Sequence, residues 1–229
     1  MINVLDRGYV RLEEVMGSDL LVVNAARVSF DKRSEALTER DRHLIRYLAR
    51  HEETSPFRHC VVRLELYAPL FVARQLYKYS VAALHREDQF AWNETSRRYI
   101  TEEPEFYIPQ EWRHAPENSK QGSGGSFDID NGSRFSRQLA WVVTAGSNAY
   151  NYLLKQGVCV EQARLMLPAY AMYVRWKLTI SLAAVLHLLK ERLDEKAQWE
   201  TQQYAEAIGQ VVLPYFEEAG RAFGYDPTN

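Results

Sequence analysis

Two groups of residues in this chain could do chemistry, and both concern anions. Arg74, Arg97, Arg98, Arg164 and Arg192 stand among apolar or small neighbours rather than in solvated charge runs. A guanidinium is costly to place in such surroundings unless it faces an anion or a carboxylate. Its planar fork matches phosphate bidentately, so a phosphate ester is the natural ligand. Pairing with the chain's own Asp and Glu residues is the alternative for any one of these arginines. The second group is the run Asn93-Glu94-Thr95-Ser96-Arg97-Arg98-Tyr99, which packs an amide, a carboxylate, hydroxyls and two guanidiniums into a short stretch. It can read a base edge and a phosphate together, with Glu94 accepting hydroxyl or N–H protons. The same residue types also suit a turn whose Asn, Thr and Ser satisfy their own backbone.

These residues need elements to position them. The opening INVLDRGYVRLEEV reads as short strands broken at Asp6-Arg7-Gly8, followed by a helix entered at Asp19. Thr38 to Asp41 has capping-box spacing, and Leu44, Tyr47 and Leu48 then recur at helical intervals. From Cys60 to Tyr67 apolar Val62, Leu64 and Leu66 alternate with Arg63 and Glu65, the pattern of a half-buried strand. Pro69 is placed to open a helix that carries Arg74 and leads into a polar stretch ending WNETSRRYI. PEFYIP is extended, and a Gly/Ser-rich loop over 119–134, expected to be flexible, precedes a helix from about Arg134 to Gln156. Glu161 to Leu167 reads as a short helix, AMYVRWKLTI as a strand, and Ser181–Glu191 and Ala197–Ala222 as helices. The sum is α+β in one domain over 1–229.

Composition bounds the partners. Hydrophobic residues make up 46% of the 229, enough for a substantial core. The net charge of -2 argues against nucleic acid as the main partner. No apolar run reaches the length of a membrane span, and the start MINVLDRGYV lacks a signal-peptide core, so a soluble, cytoplasmic protein is expected. Cys60 and Cys159 have no CxxC spacing, and no His/Cys/carboxylate spacing suggests a metal.

The runs Ser55-Pro56-Phe57-Arg58-His59, Ala68 to Gln75, Asn93 to Tyr99, Glu105 to Pro109, Ala163 to Pro168, and Arg192-Leu193-Asp194 with Ala197-Gln198-Trp199-Glu200 resemble, in order, those of the flavin-dependent thymidylate synthases. The resemblance implies an antiparallel sheet with long helices and a homotetramer whose active sites are shared between subunits. It implies methylation of uracil C5 of dUMP to give dTMP, with 5,10-methylenetetrahydrofolate as carbon donor and NADPH-reduced FAD. By position, Gln75, Lys78, Glu94, Thr95, Ser96, Arg97, Arg98, Arg164 and Arg192 match nucleotide-binding residues. Ser55, Lys78, Tyr79, Ser80, Glu94, Ser181, Leu182, Ala183 and His187 match flavin-binding ones; His187 alone would also suit a satisfied core histidine. Arg192 matches the catalytic arginine, which cannot act as a base at neutral pH but can stabilise charge developing on N3 and the adjacent carbonyl oxygens. Neither cysteine stands in the Pro-Cys context of the flavin-independent enzymes.

The sequence departs from this family at Lys78-Tyr79-Ser80, where the family carries Arg-His-Arg, and at Lys196, where histidine is common. The stretch from Lys78 to Asn93 is longer than usual and holds His85 and Arg86, either of which could return the missing cation; a solvated loop is the alternative. These departures leave open a variant that methylates UMP as well as or instead of dUMP, a nucleotide-binding regulatory protein without turnover, and a flavin oxidase without methyl transfer.

Overall fold

The computed structural model describes residues 1–81, 91–96, 102–117 and 122–225, without the side chains of 78–81 and 91. His85, Arg86, Arg97 and Arg98, and the side chains of Lys78, Tyr79 and Ser80, lie outside the described residues.

β1 (Ile2–Val4) and β2 (Gly8–Met16) pair antiparallel across the break at Asp6-Arg7. α1 (Asp19–Arg27) starts where the sequence places it. α2 (Glu39–Arg50) carries the expected capping box: Thr38 Oγ1 accepts from Asp41 N, and the Asp41 carboxylate accepts from Thr38 N at 2.9 Å. β3 (Val61–Pro69) buries Val62, Leu64, Leu66 and Ala68 and leaves Arg63 exposed, so the period-two pattern holds along the strand. α3 (Leu70–Val81) follows at once. Pro69 ends the strand rather than opening the helix, and the first free helix donors, Leu70 N and Phe71 N, are satisfied by the carbonyls of Met172 and Tyr170 at 2.9 and 3.2 Å.

Two elements differ from the sequence reading. β4 (Ala91–Glu94) is a strand where a polar stretch is expected; its four residues are too few and too polar to announce it, and pairing along a sheet edge decides the matter. α4 (Ile129–Lys155) begins before Arg134, because Asp128 caps it by accepting from Asn131 N at 2.9 Å. Residues 129–134 are therefore helix, not loop.

α5 (Val160–Ala163), β5 (Tyr173–Ser181) and α6 (Leu182–Arg192) follow the expected order. α7 (Trp199–Val212) and α8 (Glu217–Ala222) replace the single helix expected over 197–222. The break falls in the turn Leu213–Tyr215, where Pro214 has no N–H to continue the ladder.

The five strands run in the order β1-β2-β3-β5-β4, each neighbouring pair antiparallel. Opposite pairs Leu64–Leu178 and Leu66–Trp176 face α3, α6 and α7, and this layer holds the main core. α6 alone buries Leu182, Val185, Leu186, Leu188 and Leu189, each contributing about 1.5–3 kcal/mol. The opposite sheet face is charged: Glu65 accepts from Tyr9 Oη at 2.7 Å and pairs with Arg11 at 3.3 Å and Lys177 at 3.7 Å. The result is one α+β domain built on an antiparallel sheet, as expected.

Candidate active site

The sheet edge sets the first part of the site. Trp92 of β4 stacks on buried Trp176 of β5, with ring centroids 4.8 Å apart, and Tyr77 of α3 meets Trp92 edge-on at 5.2 Å. This aromatic column fixes the strand that delivers Glu94. Just beyond it Thr95 closes the edge: its N–H donates to Arg175 O at 2.8 Å, and its Oγ1 accepts from Arg175 N at 3.2 Å. A cleft of about 1010 Å³ opens here, lined by Glu94, Thr95, Ser96, Arg164 and Arg175, with Tyr67, Glu105 and Tyr173.

Charges in the cleft are unevenly committed. Glu105 accepts from Tyr67 Oη at 2.5 Å and from Arg7 at 2.6 Å, and these bonds hold its carboxyl below the usual range against the opposing effect of burial. Desolvation pushes the Glu94 carboxyl up, opposed by a hydrogen bond from Trp92 Nε1 and by the charge of Arg74. Arg164, in the turn after α5, is exposed at the cleft with no carboxylate within ion-pairing distance among the described residues. It is available to an anionic ligand.

Gln75 lies elsewhere, on α3. Its Nε2 donates to Gln198 Oε1, and Gln198 Nε2 donates to Glu200 Oε2 at 3.1 Å. Glu200 is buried and is held from the other side by Arg113 Nη2 at 2.6 Å, while the Arg113 guanidinium sits 5.2 Å from the Trp199 ring centre. The run Ala197 to Glu200 enters the family resemblance with no role of its own, and nothing in the sequence points to Arg113 or Arg175. The one available signal for the first was a carboxylate two residues from a glutamine at the start of a helix.

The residues matched to flavin gather at a third place. The turn Ser55–His59 packs against α6 at its start, where Leu182 N donates to Cys60 O at 2.8 Å. Ser181 caps α6 by accepting from Ala184 N at 3.3 Å, and Leu182 is fully buried. The helix is buried nearly all round up to Leu189; among the helical residues before Lys190 only Ala183 and His187 are half-exposed, and they stand one turn apart on one face. Arg192 ends the helix, half-buried. α3 packs against both α6 and α7, so Gln75 and these residues belong to neighbouring elements.

Within one chain, then, Glu94, Thr95, Ser96 and Arg164 share a cleft, whereas Gln75, Arg192, Ser55, Ser181, Leu182, Ala183 and His187 do not line it. Lys196 is exposed in the loop after α6, its N–H donating to Asp194 at 2.8 Å. Cys60 is buried, and burial pushes its thiol up to about 11, so it is no thiolate nucleophile; Cys159 is exposed as the residue before α5. Among the described residues no three His, Cys, Asp or Glu side chains gather as a metal site needs, and no helix is long and apolar enough to cross a membrane.

Known proteins agree with this architecture. A family model described as thymidylate synthase complementing protein matches residues 11–216. The flavin-dependent thymidylate synthase of Kosmotoga olearia is 37% identical over 227 residues, which are 98% of this chain and 94% of that one. The flavin-dependent thymidylate synthase of Thermus thermophilus is 38% identical over 222 residues, 97% of this chain and 77% of that one. Among solved structures, the UMP/dUMP methylase PolB from Streptomyces cacaoi bound with 5-Br dUMP superposes with a TM-score of 0.80 at 28% identity, over 97% of this chain and 96% of that one. On the match across the whole fold and the order of its sequence motifs, the chain belongs to the family of thymidylate synthase complementing proteins, the flavin-dependent thymidylate synthases.

Proposed function

We propose that this enzyme methylates uracil C5 of dUMP to give dTMP, taking the carbon from 5,10-methylenetetrahydrofolate with FAD reduced by NADPH. The observation that carries this reading is the cleft that joins Glu94, Thr95 and Ser96 to Arg164. In it Arg164 holds the nucleotide phosphate, since a fork of N–H donors suits a phosphate better than a point charge. Arg97 and Arg98, which lie outside the described residues, are assigned to the same nucleotide by the family resemblance alone. Ser96 donates to or accepts from the ligand, and Glu94 accepts from a hydroxyl or N–H. Thr95 contributes mainly by fixing the edge of β5. Arg192 draws negative charge toward N3 and its neighbouring carbonyl oxygens, which makes C5 the nucleophile.

The residues of α6 fit a flavin. Ala183 offers little bulk on the one open stripe of that helix, His187 stands a turn away, and Ser55 borders the helix start. Ser181 can still donate its hydroxyl proton while its oxygen caps the helix. Reduced flavin, when bound, supplies the hydride that turns the transferred carbon into a methyl group. Lys78, Tyr79 and Ser80 complete the cofactor site in this reading.

That Gln75 and Arg192 do not line the cleft of Glu94 and Arg164 supports a site drawn from more than one copy of the chain. A homotetramer with shared active sites is such an arrangement. The exposed apolar side chains of Trp141, Tyr152 and Leu165, on and beside α4, supply surface for such contacts.

A second reading is favoured by one observation: PolB is a UMP/dUMP methylase whose structure is also known with 5-Br UMP, at a TM-score of 0.80. Comparing kcat/KM for dUMP and UMP, in product formation with NADPH and methylenetetrahydrofolate, tests both readings. Turnover of dUMP supports the first and turnover of both nucleotides the second, while turnover of neither removes the enzyme assignment.

A further inference from the structure

A second cleft, of about 880 Å³, opens between α1 with its following turn and α2, and none of the residues assigned above lines it. Its charge is one-sided. Five Lys or Arg side chains line it (Arg27, Lys32, Arg40, Arg46 and Arg50) against a single acid, Asp41. That acid is already spent: it is buried, paired with Arg27 at 2.5 Å and hydrogen-bonded by Thr38 and Ser34. Among the described residues, Lys32, Arg40, Arg46 and Arg50 have no carboxylate within ion-pairing distance. The whole chain carries more acids than bases, 30 against 28, so this surplus is local.

The arrangement works against α2 as an isolated helix, because Arg46 and Arg50 stand one turn apart with like charge. An anion between them would reverse that repulsion. The walls add a second requirement. Phe30 is 74% exposed and Tyr47 is 53% exposed, and both line the cleft. The Tyr47 ring packs on His51, with ring centres 4.2 Å apart, so Phe30 offers the open face. An exposed aromatic ring beside unpaired guanidiniums suits a flat ring that carries negative groups.

We propose that this cleft binds a co-substrate that joins a planar heterocycle to two or more anionic groups. On the methylase reading, besides the flavin already assigned to α6, two molecules have that chemistry: NADPH, with its phosphates, and the folate donor, with its glutamate carboxylates. The cleft is large enough for the greater part of either.

Flavin-loaded protein, wild type and the double variant Arg46→Ala, Arg50→Ala, is titrated calorimetrically with NADP⁺ in one arm and folic acid in the other. Alanine is the best helix former, so α2 survives the change. The expected result is binding of at least one ligand by wild type and a loss of about tenfold or more in the variant, each charged contact being worth about that factor. The arm that weakens identifies the source. Equal affinities in wild type and variant, or no binding of either ligand by wild type, overturn the proposal. The flavin spectrum with added dUMP is read in the same samples. A response there with unchanged NADP⁺ and folate affinities removes the cleft alone, and no response in wild type removes the methylase reading itself.

Discussion

Gln198 donates its amide N–H to the buried carboxylate of Glu200 at 3.1 Å, and that bond decides which way Gln75 points. A carboxylate can only accept, so Gln198 must turn its NH2 group toward Glu200 and its carbonyl toward Gln75. Gln75 must then give its own NH2 to Gln198, which leaves its carbonyl oxygen and one N–H for a ligand. Arg113 Nη2 donates to Glu200 from the far side at 2.6 Å. The order of donors along this chain is thus set by one buried charge.

Glu200→Gln removes the rule, because an amide can donate or accept at either end. The variant is expected to raise KM for the nucleotide about tenfold, the cost of one ligand hydrogen bond, with a smaller change in kcat. In a Gln75→Ala background the same change is expected to add little, and a double-mutant cycle reads the difference. Equal effects in both backgrounds would mean that Glu200 acts on stability alone.

Arg164→Ala tests the phosphate contact. The loss expected is about 1.5–3 kcal/mol of nucleotide binding, the range for hydrogen bonds to charged groups. Affinity for deoxyuridine, which has no phosphate, is expected to stay unchanged. A parallel loss for nucleoside and nucleotide would place Arg164 away from the phosphate.

Thr38 and Asp41 make a stability prediction with a defined pH sign. Burial works to raise the Asp41 carboxyl, but hydrogen bonds from Thr38 and Ser34 and the Arg27 charge outweigh it and hold it below the usual range. A depressed folded pKa stabilises the protein above the unfolded value, about 3.9, and that stabilisation fades as pH falls through the folded value. Thr38→Ala is expected to cost about 1 kcal/mol, a Tm decrease of about 2–4 °C for a chain of this size. Asp41→Asn is expected to lower Tm at pH 7, with the gap to wild type narrowing below about pH 4. Thermal melts across that range check both, and a gap independent of pH would contradict the assignment.

Trp141 on α4 and Leu165 in the turn that packs against α4 are 66% and 77% exposed. If copies of the chain meet there, Trp141→Lys with Leu165→Lys reduces the native mass in light scattering and lowers activity with it. An unchanged mass would move the interface elsewhere.

The parts of this molecule that were legible in the sequence are those set by neighbours along the chain. Val62, Leu64 and Leu66 declare a strand by alternation alone, and Thr38 with Asp41 declares a helix start. β4 was not legible, because Ala91 to Glu94 becomes a strand only through its pairing with Trp176 to Thr179 of β5. The early start of α4 hung on one cap, Asp128, hidden in a run of turn-forming residues. The site shows the same division. Glu94 and Arg164, separated widely in sequence, were matched to one nucleotide and do share a cleft. Arg113 and its pairing with Glu200 were invisible, since an ion pair between residues so far apart has no local pattern.

The most direct test of the account is the visible spectrum of the purified protein with FAD, titrated with dUMP and then UMP. A bound-flavin spectrum that shifts saturably with nucleotide, and needs more nucleotide after Arg164→Ala, is the predicted result. A protein that takes up no flavin, or whose flavin spectrum ignores both nucleotides, would contradict a site built from α6, Glu94 and Arg164.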